Sequence, residues 1–305
     1  MGARDSIVSG SKKTAPKSTS SNALISILMP VHNEEQFLVE SIESMLAQTY
    51  SNFEFIIVDD GSTDKTPAIL KSYARKDARI KVITIKKSGL AHALNLALAQ
   101  AKGHYIARMD ADDISLPQRF QKQIAYLRKH TNVIAVGAQA ELMDEYGQSL
   151  GLKSFPSQPK ELYRLMFITM PIQHPLLMTY ADVMKKCMYE NHSTAEDVSM
   201  FFQLLTHGDF SNVPEVLLQY RIRPQSNSLK NPKKTFMLTL KSRIKGVRTY
   251  GYKPTLSGLA INIAQASVVF LLPNALILTL YKIWRFKKSA SPQYILHKLA
   301  THMSA

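Results

Sequence analysis

The sequence predicts an α/β domain with a largely parallel sheet flanked by helices, followed by a helical C-terminal appendage. From residue 24 onward short apolar runs alternate with amphipathic stretches of helical length, the pattern that strand–helix–strand units produce. At 305 residues the chain can bury a sizeable core in one main domain with an addition. Near the C-terminus 28 uncharged residues, 254–281, are closed by the basic string KIWRFKK.

The elements follow in order. Residues 1–22 are rich in Ser, Thr, Lys and Gly without apolar period and are expected to be a disordered basic tail. Strands are expected at LISILM (24–29), FEFIIV (53–58), IKVITI (80–85), HYIARM (104–109) and VIAVG (133–137). Helices are expected near 34–48, 65–76, 90–101 and 117–129, with Asn33 and Gln36 as a capping box and Pro67 and Pro117 in first turns. After about residue 150 the pattern loosens into turns, then turns helical again around 196–206. These features divide the chain into the tail, a domain over 23–228 with halves near 23–138 and 139–228, and a basic, apolar helical region over 229–305.

Cys187 is the single cysteine, which excludes an internal disulfide, and the N-terminus lacks the apolar run of a secretory signal. A reducing, cytoplasmic setting is expected. The net charge of +15 is unevenly placed, because 15 of the 38 basic residues follow Glu215, the last acid. The other 23 balance the 23 acids of residues 1–215. A cation-rich, acid-free tail points to an anionic surface. Nucleic acid is disfavoured, since the basic stretch leads into aliphatic residues rather than interleaved aromatic platforms.

In an open parallel sheet, ligands bind beyond the carboxyl ends of the strands, and here those ends are acidic. They read MPVHNEE, VDDGSTD and MDADD. Asp59 and Asp60 stand at the second end before Gly61. Such a turn can hold a carboxylate against the base or ribose of a nucleotide, and equally serves as an ordinary Asp-Gly turn. At the fourth end Asp110 and Asp112 share a face if the chain is extended, with Asp113 pointing away or beginning the following turn. Paired carboxylates repel, and Mn²⁺ or Mg²⁺ relieves that repulsion while leaving coordination positions for a diphosphate. A solvated acidic loop is the plain alternative.

Competing motifs lack their context. No glycine-rich dinucleotide loop or Walker loop follows a strand, and no His/Cys cluster has zinc spacing. Gly147-Gln-Ser149-Leu-Gly151 matches a nucleophile-elbow string, but Pro156 and Pro159 discourage the helix that must follow. Further on, Glu196 and Asp197 open an apolar helix, with Ser193 or Thr194 expected to cap it. They can serve the helix dipole alone, or one can face a site as a general base.

The ordered set PVHNEE, VDDGSTD, MDADD, His174-Pro175, Ala195-Glu196-Asp197 and LLQYRIRPQSNS resembles the inverting glycosyltransferases of family 2, over roughly residues 24–228. The resemblance implies a GT-A fold and a nucleotide-sugar donor, a UDP-sugar above all. It places Pro30, His32 and Glu34 in the donor pocket, Asp59 on the base with Asp60 close by, and Asp110 and Asp112 on metal and donor with help from Asp113. Asp197 resembles the catalytic base with Glu196 as its support, and Arg221 or Arg223 can meet the diphosphate. The implied acceptor is a bacterial-type surface glycan or a lipid-linked glycan; a polyprenyl-phosphate acceptor on the same fold, or donor binding without turnover, stands beside it.

The run 256–284 is long enough to span a bilayer, yet Asn262, Gln265, Pro273 and Asn274 interrupt it. A surface helix pair broken at Pro273, a span, and a soluble helical subdomain all fit. The first would place the chain peripherally on the inner face of the cell membrane, against anionic lipid.

Overall fold

The computed structural model describes residues 22–190, 195–223, 231–273 and 276–277. The expected N-terminal tail, the Ser193 or Thr194 cap and the KIWRFKK string lie outside the described residues.

Three parallel strands start the sheet: β1 (Ile25–Val31), β2 (Phe53–Asp60) and β3 (Ile80–Ile85). Helices α1 (Leu38–Leu46), α2 (Thr66–Lys76) and α3 (Leu90–Gln100) connect and cover them, and β4 (Tyr105–Arg108) pairs parallel with β1. All eight residues of β2 are buried, which is why it reads as a continuous apolar run until the acids at its end. Close approach at the start of β4 demands Gly103, where a Cβ would fall 2.5 Å from the backbone nitrogen of Ser26.

Beyond β4 the sheet turns mixed. After the two-residue β5 (Ile114–Ser115) and α4 (Arg119–Lys129), the long β6 (Val133–Met143) pairs with β7 (Ser149–Lys153), β8 (Met178–Tyr180) and β9 (Asp209–Arg221). The strand order is β3-β2-β1-β4-β8-β6-β9-β5, with β7 attached to β6. The region expected to loosen into turns and short elements holds such elements, and two of its strands, β8 and β9, also stand inside the sheet. β9 escapes a sequence reading because Asn212, Pro214 and Glu215 break its apolar pattern, and its pairing with β6 shifts register across Pro214 and Glu215. Short α5 (Pro159–Leu165) and α6 (Ala181–Met184) fill the same region, and Ser149 of the elbow string sits on β7, bonded to Glu141 rather than at a strand-to-helix turn.

Helix α7 (Glu196–Leu205) is followed in space by α8 (Pro232–Arg248) and α9 (Leu256–Leu271). Gly246 of α8 lets the Phe202 ring of α7 approach, since a Cβ there would lie 2.6 Å from it. Tyr252 stacks on Tyr163 and Phe167 and donates to the Tyr163 carbonyl at 2.7 Å. Among the described residues no helix is long and apolar enough to cross a membrane.

Candidate active site

The strand ends are stitched to one another before any ligand enters. Asn33 does not cap α1, which begins at Leu38. At φ 54° it turns the chain out of β1, and its side chain accepts from the Thr63 N–H at 2.8 Å while its own N–H donates to Ser62 Oγ at 2.9 Å. Glu34 N–H donates to Thr66 Oγ1 at 2.9 Å. The loops after β1 and β2 therefore move as one piece.

Asp59 and Asp60 end β2 in different environments. Asp60 accepts from the Ser88 and Gly89 N–H groups at 2.6 and 2.9 Å, which fixes the loop after β3, and it lines the cleft. Asp59 is wholly buried; Oδ1 accepts from Ser62 N–H at 3.0 Å and Oδ2 has no partner. Gly61, at φ 70°, makes the turn possible, because a Cβ would press on the Lys87 nitrogen at 2.8 Å.

The acids after β4 converge for a reason other than strand alternation. Residues 111–112 form a turn, and one carboxylate oxygen each from Asp110, Asp112 and Asp113 lie within 4.8 Å of one another. Asp113, expected to assist the other two, is buried in the cluster and accepts from the Arg221 N–H at 2.8 Å. Burial, then the charge of Asp110, pushes Asp112 up to about 6, and burial with the charge of Asp112 holds Asp113 well above the usual carboxylate range.

Three arginines hold this cluster. Arg108, buried on β4, forms an ion pair with Asp110, and its Nε has no hydrogen-bond partner. Arg223 reaches both oxygens of Glu34 at 2.7 and 2.9 Å and Asp112 at 2.7 Å. Burial raises Glu34 above its ordinary value even against that partner. The guanidinium of Arg221 is committed elsewhere, to the carbonyls of Asp112, Asp144 and Glu145 and to Glu40. Of the two arginines, Arg223 is the more open to a ligand, with 29% of its side chain exposed against 2%.

Across the cleft, Glu196 and Asp197 open α7. Their N-cap is Ala195, without a side-chain capping bond and at φ 74°, a left-handed conformation that an alanine adopts at a cost. That turn feeds both acids into the cleft, which also takes in Pro30, His32, Glu34, Arg108 and His174. Burial, then the charge of Asp197, pushes Glu196 up to about 8, while Asp197 is raised mainly by burial. Both carboxyls are thus held above the usual carboxylate range, Glu196 the further of the two. His174 donates or accepts at 3.0 Å with Tyr189 OH, and burial followed by the Arg108 charge keeps its imidazole neutral.

Sequence reasoning overlooked Arg108. The signal was present: it lies two residues before Asp110 and faces the same way at the strand end. The whole cleft has a volume of about 1490 Å³.

A mainly parallel sheet with acidic strand ends opening on a cleft of this size defines a glycosyltransferase of the GT-A fold. The chain belongs to glycosyl transferase family 2, whose profile matches residues 26–184. It is 34% identical over 208 residues to the O-antigen biosynthesis glycosyltransferase WbnJ of Escherichia coli, covering 67% of this chain and 81% of the relative. Among solved structures, S. aureus TarS 1-349 in complex with UDP-GlcNAc aligns with a TM-score of 0.58 at 18% identity, over 79% of this chain and 78% of that one. The mannosyltransferase PcManGT of Pyrobaculum calidifontis in complex with GDP-Man and Mn²⁺ aligns with a TM-score of 0.56 at 17% identity, over 90% and 84%. At these identities the two structures speak for the fold.

Proposed function

We propose that the enzyme moves a sugar from a nucleotide-diphosphate sugar, a UDP-sugar, to a hydroxyl of a glycan or lipid-linked glycan with inversion at the anomeric carbon. One observation carries the reading: a cluster of three aspartates and the buried acid pair Glu196–Asp197 face each other across a single cleft. Asp197 takes the proton of the acceptor hydroxyl, and Glu196 supports it. Attack by that hydroxyl on the face opposite the leaving diphosphate gives inversion in one displacement.

On the donor side, Asp60 lines the cleft and is the acid open to the nucleotide, while Asp59 lies covered behind it with Oδ2 unpartnered. Pro30, His32 and Glu34 form the neighbouring wall, and Arg223 can leave Asp112 to meet the diphosphate, while Arg221 holds the aspartate turn in place. The three aspartates suit a hard divalent cation: their charges repel and Asp113 Oδ2 lacks a partner. Mn²⁺ or Mg²⁺ held by Asp110 and Asp112, with Asp113 behind them, would neutralise the charge developing on the leaving diphosphate.

The described part of the region 229–305 supports a place on the inner face of the cell membrane. Leu256, Ile263, Phe270 and Leu271 of α9 are exposed, and no acid follows Glu215. The reading is tested by thermal stabilisation with a panel of nucleotide sugars, with and without Mn²⁺, followed by NMR of the transfer product. Metal-dependent stabilisation by one donor and an inverted anomer are expected. A retained anomer, or no donor that stabilises the fold, refutes it.

A further inference from the structure

The cleft does not end at Glu196 and Asp197. It continues as an apolar trough between the segment 166–172 and the helix pair α8–α9, walled by Met166, Ile168, Met170, Phe236, Ile261 and Val268. The transfer chemistry uses none of these side chains. A glycan, polar all round, gains little from such walls, whereas an apolar chain is favoured by losing its contact with water there.

One cation is set into the trough. Arg243 on α8 is 5% exposed, and the oxygens it meets are neutral: Asn262 Oδ1 at 2.7 Å, Gln265 Oε1 at 3.1 Å and the Ile168 carbonyl at 2.6 Å. Its Nε has no hydrogen-bond partner, and among the described residues no carboxylate pairs with it. Burial draws its pKa down to about 10, so it remains a cation at neutral pH. Neutral acceptors orient a guanidinium without cancelling its charge, and a buried cation is costly until an anion joins it.

We propose that the trough is the acceptor's lipid subsite, in which an apolar chain lies between α8, α9 and residues 166–172 and its phosphate pairs with Arg243. This rests on the glycosyl-transfer reading and narrows its acceptor to a glycan carried on a lipid phosphate, whose hydroxyl reaches Asp197 while the carrier's phosphate meets Arg243. Two features favour that occupant over a flat bilayer surface or a second copy of the chain. The trough is continuous with the cavity holding Asp197, so whatever fills it presents its far end to the candidate base. The chain after Glu215, which supplies α8 and α9, carries 15 basic residues and no acid, a balance that suits a phosphate. Ile261 and Val268, 39% and 43% exposed on the wall of the trough, carry its apolar face out to the surface.

The test uses the full chain and calorimetric titration with farnesyl phosphate, with farnesol and inorganic phosphate as single-feature controls. Thermal stabilisation by the donor nucleotide sugar is read in parallel. Farnesyl phosphate should bind at least about tenfold more tightly than either control, because chain and charge act together. Arg243→Gln, and Ala264→Glu at an exposed position lining the trough, should each weaken it by about tenfold or more while donor stabilisation persists. Equal binding of inorganic phosphate or farnesol overturns the proposal, as does unchanged affinity in both variants. So does sedimentation with phosphatidylglycerol vesicles in the absence of farnesyl phosphate binding, which would assign the apolar face to the bilayer instead. Loss of donor stabilisation in the unmodified protein, with lipid phosphate still bound, would strike the transferase reading and leave the subsite standing.

Discussion

The backbone N–H of Arg221 donates to the carboxylate of Asp113 at 2.8 Å, joining residues 108 apart in sequence. The same arginine donates from Nε to the Asp112 carbonyl at 2.8 Å, so the end of β9 sets the shape of the aspartate turn after β4. Antiparallel pairing of Ile114 with Gln219 brings the two ends together. Arg221→Met keeps the volume but strips four acceptors of their donor, and it should cost about 2–4 kcal/mol in urea unfolding. A loss below about 0.5 kcal/mol would show that the turn stands without it.

Asp112 joins the cluster and also pairs with Arg223. Asp112→Asn should leave the melting temperature within a few degrees of the parent while abolishing Mn²⁺- or Mg²⁺-dependent donor affinity. Calorimetry that finds the same metal-dependent affinity in the variant would remove Asp112 from the ligand set.

Asp197→Asn separates binding from chemistry. Donor affinity should stay near that of the parent, and turnover should fall by on the order of 10²-fold or more, the scale of a lost general base. An Asp197→Asn enzyme with full turnover would exclude the role; an equal loss in Glu196→Gln alone would transfer it to that neighbour.

Glu196 carries a stability signature of its own. Its folded pKa, about 8, lies above the ordinary 4.5, so between these values the folded chain holds a proton that the unfolded chain releases. The sign is that stability falls as pH rises through this window and levels off above it. Glu196→Gln should therefore be more stable than the parent by on the order of 1 kcal/mol or more at pH 8, with the gap closing toward pH 5. Melting curves with a constant gap across that range would contradict the raised value.

Much of this protein was legible in order along the chain. The strands at 25–31, 53–60 and 80–85 and the helices between them follow from local apolar period, and acids at successive strand ends mark the ligand edge of a parallel sheet whatever the loops do. The family resemblance rested on the same residues, which lie close together in sequence within each loop. Glu196 and Asp197 were legible too, because a helix start shows in the local pattern.

What the tertiary structure decided are relations between residues far apart. The sequence could not separate Arg221, spent on backbone carbonyls, from Arg223, which faces the cleft, since both are basic residues two positions apart. It could not show that Asp59 is covered while Asp60 lines the cavity, nor that Asp113 is held in the cluster by the Arg221 N–H, because each depends on the turn and the partner strand. β9 was invisible for a related reason: a strand interrupted by Asn212, Pro214 and Glu215 is held by ten paired residues of β6 and not by its own propensity. Local pattern fixes what a segment can become; the desolvation and pairing that give an acid or a cation its task arise only when distant segments close over it.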